Sequence, residues 1–249
     1  NEKHRYISTF ANASYTYLEK YTLSGSLRSD ASDFFGVDEN QRFNPFWSAG
    51  IGWKLHNEAF LKSQTWINQF NLRSTVGING NINRSATALP TANISSFSNA
   101  VAQVPYATII SPENKNLTWE KTFQYNIGLD FKIFNRISGS LEYYGKNITD
   151  LFGPRNVSPT TGFAIYNANV AEMKTNGFEV DIRSDNIETK SFSWKSNLLF
   201  SYANEKVTKA QNKPDLFQIL NTDKDVGSSY GPRNSYFPIE GKPLFGVYA

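Results

Sequence analysis

Cysteine is absent from the 249 residues, histidine occurs only twice and methionine once. Without cysteine there is no disulfide scaffold, no thiolate zinc site and no thiol nucleophile. His4 and His56 lie too far apart for a paired-ligand motif, so neither a metal site nor a histidine-based triad is expected. Charge of one sign is also scarce. Twenty-five basic against 22 acidic residues leave +3, too little for a field that would gather nucleic acid. No stretch approaches the roughly 18 apolar residues that a membrane helix needs. Gly50-Ile51-Gly52 lacks the third glycine of a dinucleotide loop. Asp38-Glu39-Asn40 and Asp223-Lys224-Asp225 lack calcium-loop spacing and read as solvated turns. No enzyme activity, cofactor or metal is expected.

Aromatic residues, by contrast, make up 15% of the chain and hydrophobic ones 39%, which excludes a disordered segment. They are arranged with period two. From Thr118 to Ile133, Trp119, Phe123, Tyr125, Ile127, Leu129, Phe131 and Ile133 share one parity, broken only by Lys121. The other parity holds Glu120, Thr122, Gln124, Asn126, Gly128, Asp130 and Lys132. A strand separates these two sets onto opposite faces, whereas a helix would scatter both. The same alternation recurs over 10–18, 21–30, 46–56, 68–79, 137–148, 177–184 and 192–206, and a further strand begins at Leu244. Mean hydropathy is slightly negative, as expected when each strand averages an apolar face with a polar one.

The connections alternate in length. Short ones fall at 18–20, 134–136 and 185–191, and long ones at 31–45, 80–117, 149–176 and 207–243. The intermediate link 57–66 offers one helical turn at 57–62. All the long connections fall at one end of the hairpins, the arrangement of an outer-membrane barrel with short turns on one side and long loops on the other. Aromatic residues cluster toward both strand ends (Tyr17, Tyr21, Trp53 and Trp194; Trp47, Trp119 and Phe178), as in two interfacial girdles. The parity predicts Tyr15, Leu23, Ile51, Leu72, Ile127, Leu141, Val180 and Leu198 on a lipid face. Ser24, Arg73, Asn126, Glu142 and Asp181 fall on a watery lumen face. The pattern leaves two folds open, a membrane barrel and a soluble β-sandwich, and the function classes kept beside them are an active importer, a passive porin and a soluble carbohydrate-binding β module.

Six runs decide among them by resemblance. They are Tyr21-Thr22-Leu23-Ser24-Gly25-Ser26-Leu27-Arg28; Phe46-Trp47-Ser48-Ala49-Gly50-Ile51-Gly52-Trp53-Lys54-Leu55; Leu72-Arg73-Ser74-Thr75-Val76-Gly77-Ile78-Asn79-Gly80-Asn81; Asn116-Leu117-Thr118-Trp119-Glu120-Lys121-Thr122; Tyr143-Tyr144-Gly145-Lys146; and Met173-Lys174-Thr175-Asn176-Gly177-Phe178-Glu179. In order and spacing they resemble the SusC/RagA-type TonB-dependent transporters of Bacteroidetes outer membranes. Ala171 departs from the glycine expected there.

The resemblance implies an all-β fold, an antiparallel transmembrane β-barrel of about 22 strands around a plug. This chain would supply about nine consecutive strands, as an internal barrel fragment without the plug, the TonB-contacting segment or either barrel end. It implies active import of a glycan or oligopeptide across a Gram-negative outer membrane. The partners implied are a SusD-like surface lipoprotein, the TonB complex and outer-membrane lipid. Substrate contacts are expected from aromatic platforms with convergent polar groups. In the first long loop these are Phe34, Phe35, Phe43 and Trp47. In the third they are Phe163, Tyr166, Asn167 and Asn169. Lumen-facing Arg28, Asp30, Arg73 and Glu142 complete the set.

Overall fold

The computed structural model describes residues 6–32, 43–81, 87–95, 105–163 and 165–211. Ten strands run in chain order: β1 (Tyr6–Tyr17), β2 (Tyr21–Ser32), β3 (Phe43–Lys54), β4 (Ile67–Asn81), β5 (Thr91–Ser95), β6 (Tyr106–Ser111), β7 (Glu120–Ile133), β8 (Ile137–Asn156), β9 (Ile165–Glu188) and β10 (Ser193–Ala210). Eight form one sheet in the order β1-β2-β3-β4-β7-β8-β9-β10, each antiparallel to its neighbours. β5 and β6 pair only with each other. Among the described residues the sheet ends in two unpaired edges, β1 and β10.

The parity expected from the sequence survives pairing. One row across the sheet reads Tyr15, Leu23, Ile51, Ser74, Ile127, Tyr143, Phe178 and Tyr202. The next toward the short turns reads Tyr17, Tyr21, Trp53, Leu72, Leu129, Leu141, Val180 and Phe200. Many of these side chains stand bare: Leu23 is 62% exposed, Ile51 63%, Ile127 49% and Phe200 53%, and Leu198 in the following row is 58% exposed. So continuous an uncovered apolar face belongs against lipid or protein rather than water. The opposite face carries Ser24, Arg73, Asn126, Glu142 and Asp181, as expected.

At the turn end the hairpins close tightly without glycine. Leu18 and Glu19 (φ 52° and 55°), and Phe134 and Asn135 (53° and 54°), adopt the left-handed pair of a type I′ turn, whose twist matches the flanking strands. Bulky residues there are strained, and each turn is braced by a neighbouring segment. Lys54 N donates to Lys20 O at 2.8 Å, Phe134 N to Trp66 O at 2.7 Å, and Asp185 N to Arg136 O at 2.9 Å. Trp66 also stacks on Phe134 with ring centroids 5.7 Å apart. The helical turn expected at 57–62 is present, with Lys62 N donating to Glu58 O, just after a short 3-10 turn at Leu55–Asn57.

The loop end differs from the expectation in two places. Much of 149–176 is strand: β8 runs on to Asn156 and β9 starts at Ile165, joined through a bulge where Asp150 takes a positive φ. Ala171 is buried at this irregular pairing, opposite Leu151. Within 80–117 lies the β5–β6 hairpin, where only a loop was expected. The hydrophobic core also sits at this end. Phe46, Ala88, Leu117 and Trp119 form one cluster; Ala168, Val170 and Ala171 form another with Leu151 and Tyr166 against it. Trp119 is therefore a core residue, 4% exposed, and not a member of a lipid girdle. The strand expected from Leu244 and both acidic triplets lie outside the described residues.

Candidate functional site

The polar face is built around Arg73. Its position on β4 lies opposite Gly128 on β7, which lies opposite Glu142 on β8. Glycine in the middle lets the guanidinium lie flat across β7: a Cβ at Gly128 would stand 2.8 Å from Arg73 Cζ. Arg73 thereby reaches Glu142 Oε1 through Nη2, Asp130 through Nε at 3.2 Å and Asn126 through Nη1 at 3.5 Å. Asn126 Nδ2 closes the ring by donating to Glu142 Oε2 at 2.9 Å. One cation is thus held between two carboxylates, all three partly exposed to solvent. Nearer the loop end on the same face, Arg28 Nε donates to Asp30 at 2.7 Å.

A second constellation pins residues 114–120 onto the extended β8–β9 pair. Asn169 Oδ1 accepts from Thr118 N at 2.9 Å, and its Nδ2 donates to Thr118 O and to Asp150 O. Asn114 Nδ2 donates to Asn167 O at 3.0 Å, and Asn114 N donates to Ala88 O at 2.9 Å. Glu120 accepts from Phe152 N and from Asn81 Nδ2. These bonds replace strand ladder contacts where the chain leaves the sheet, so the loop stands on a fixed base.

At the turn end Glu58 gathers three donors: Tyr21 Oη at 2.6 Å, Lys20 Nζ at 2.9 Å and Trp53 Nε1 at 3.1 Å. The hydrogen bond from Tyr21, then those from Lys20 and Trp53, hold its carboxyl at a pKa of about 2. Beside it the polar face forms a recess of about 510 Å³ lined by Glu19, Lys54, His56, Asn57, Gln69 and Asn71, among others. Asn71 Oδ1 is buried there without a hydrogen-bond partner among the described residues.

The expected site residues divide accordingly. Arg73 and Glu142 are brought together, and Arg28 pairs with Asp30 well above them. Trp47 does not join a loop cluster. It lies on the apolar face of β3 between Leu27 and Ile78, because its parity is that of Ala49 and Ile51. Asn169 spends its amide on backbone groups, and Asn167 lends its carbonyl to Asn114. Tyr166 packs beside the Ala168 cluster, its hydroxyl accepting from Arg155 Nη1 at 3.4 Å. Phe163 is half-buried in the 157–164 link. Phe34 and Phe35 lie outside the described residues, as does the side chain of Phe43. Asp130, Asn114 and Glu58 were not singled out from sequence. Asp130 shares the parity of Asn126 and was findable; the other two sit in irregular segments.

The family model described as "TonB dependent receptor-like, beta-barrel" matches residues 1–239. The chain belongs to that family. TonB-dependent receptor P3 of Formosa agariphila is 31% identical over 244 residues, covering 90% of this chain and 24% of the relative. TonB-dependent receptor SusC of Bacteroides thetaiotaomicron is 32% identical over 219 residues, covering 84% of this chain and 21% of the relative. Among solved structures, the RagAB peptide importer in its closed-closed state superposes with a TM-score of 0.76 at 23% identity, covering 96% of this chain and 24% of that one. The chain thus spans about a quarter of the length of the relatives it matches. As a TonB-dependent receptor barrel segment it resides in the outer membrane.

Proposed function

We propose that this chain forms part of the wall of a TonB-dependent importer, a larger closed barrel of about 22 strands, and that it serves transport rather than catalysis. Among the described residues eight paired strands leave two open edges, which cannot stand alone in hydrocarbon, where every backbone group needs a partner. Further strands of the same protein would close them. The plug and the TonB-contacting segment would lie in those other parts, and a SusD-like lipoprotein would cover the loop end. The cargo is an oligopeptide or glycan. Its polar groups would exchange with the Arg73–Glu142–Asn126 ring in the lumen and meet Arg28, Asp30, Phe163 and Tyr166 toward the outside.

The observation that carries this reading is the pairing of a continuous lipid face with a charged, partly exposed ring at the same height of the same strands. A soluble module has no use for the first, and the second offers a polar solute groups to exchange with. A passive porin remains the competing account. Uptake of labelled oligopeptide and oligosaccharide pools by cells expressing the full-length transporter separates the two. Uptake should cease when the proton gradient is collapsed and should fall several-fold on Arg73→Ala with normal membrane insertion. Uptake that continues in de-energised cells would establish the porin instead.

A further inference from the structure

The lipid face changes chemistry abruptly at one corner. Toward the loop end, one row across the sheet runs Ala11, Leu27, Trp47, Ile78, Phe123, Asn147, Lys174 and Lys206. On β1–β4 that row is apolar; on β8–β10 it is polar and then cationic. Lys174 and Lys206 sit directly opposite each other on neighbouring strands, both exposed. Like charges so placed, with Cβ atoms about 5 Å apart, repel and weaken the pair. Neither forms an ion pair among the described residues. The carboxylate of Glu172, two residues beyond Lys174 on the same face, is taken by Lys209 at 3.0 Å. Lys121 stands on this face of β7 as well, one row further out.

Height fixes what these lysines meet. The aromatic row Tyr143, Phe178 and Tyr202 is exposed on the lipid face. On β10 it lies eight residues above the exposed Trp194, about 27 Å along the strand, the span of an apolar band once strand tilt is taken in. Lys174 and Lys206 come four residues later, about 13 Å further, with Asn176 and Asn204 between. Going outward the face therefore reads aromatic, amide, ammonium. That is the order of interface, ester linkage and phosphate in a lipid leaflet. We infer that Lys174 and Lys206, flanked by Asn147 and Lys121, bind the phosphate of an outer-leaflet lipid headgroup, whose anion turns the repulsion between the two lysines into a shared contact.

The inference rests on the placement in the membrane and not on which cargo is imported. The test uses full-length transporter, delipidated in detergent and titrated with lipid A, with dephosphorylated lipid A and with inorganic phosphate. Bound lipid is read by native mass spectrometry. Wild type should prefer lipid A over its dephosphorylated form. Lys174→Gln and Lys206→Gln should each weaken lipid A binding roughly fivefold, and the double variant should lose the preference. Lys146→Gln, on the lumen side of the same sheet over the Tyr144 ring, should change nothing and controls for folding. Equal lipid A binding by wild type and a double variant that keeps its heat-modifiable band overturns the inference. So does inorganic phosphate that competes at matched concentration.

Discussion

Ile127 and Gly128 are adjacent on β7, yet they answer to different rules. Ile127 lies on the apolar face, half exposed, and its row continues as Tyr143 and Phe178 on one side and, past Ser74, as Ile51 and Leu23 on the other. Gly128 lies on the polar face and is buried beneath the Arg73 guanidinium. The outward residue is specified by the solvent it faces, so its size matters little and its polarity greatly. The inward residue is specified by one neighbour, so its size matters more than its polarity. The whole sheet follows this division.

The largest effect should come from violating the outward rule. Ile127→Arg in the full-length barrel should cost about 2–4 kcal/mol, read by denaturant unfolding in lipid vesicles, whereas Ile127→Val should be nearly silent. Next comes the loop end, where the division lapses because side chains there are buried by loop segments and strand extensions. Asn169→Ala removes three hydrogen bonds to backbone groups. It should loosen segment 112–119 by about 1–3 kcal/mol, visible as faster amide exchange there, while the barrel still inserts. Equal exchange in both proteins would show that the clamp is redundant.

The inward rule predicts a smaller stability effect with a larger functional one. Gly128→Val should push Arg73 off Glu142 at a cost of about 1 kcal/mol, since the ring is partly exposed and screened. Transport should nonetheless fall as far as in Arg73→Ala. Retained transport would mean the ring is wall and not pathway.

The smallest effect is at the turn end and depends on pH. Glu58 has a folded-state pKa of about 2 against an ordinary 4.5, so the fold favours its carboxylate. Its contribution is complete above the unfolded value and is lost as pH falls from about 4.5 through about 2. Trp53, whose indole donates to that carboxylate, is the local reporter. Its emission should shift across this window in wild type and stay flat in Glu58→Gln.

The same division explains what was legible in the sequence. All eight sheet strands were visible in outline, because lipid on one side and water on the other write an alternation that composition cannot hide. β8 beyond Thr149 and β9 before Asn176 were mistaken for loop. There the strands outrun the membrane, Pro154, Asn156, Asn167 and Asn169 enter them, and burial comes from neighbouring loop segments instead. Thr91–Ser95 and Tyr106–Ser111 are short, exposed and paired only to each other, so no face marked them. In the site, the side on which Arg73 and Glu142 lie was readable from parity. Their meeting was not, because it depends on the register of β4 against β7 across an excursion of 38 residues, from 82 to 119. Trp47 misled because an aromatic residue beside a loop looks alike whether it serves cargo or lipid.

The braces at the turn end bear on how the sheet is put together. Each joins a turn to a strand beyond its own hairpin: Lys20 to Lys54, Phe134 to Trp66, Arg136 to Asp185. A strand added out of step by two residues would keep its apolar face outward and satisfy every lipid contact. It would, however, carry its rim partner about 7 Å away and leave the strained turn unsupported. The rim bonds thus tell the native register from one shifted by two residues. The lipid face alone cannot make that distinction.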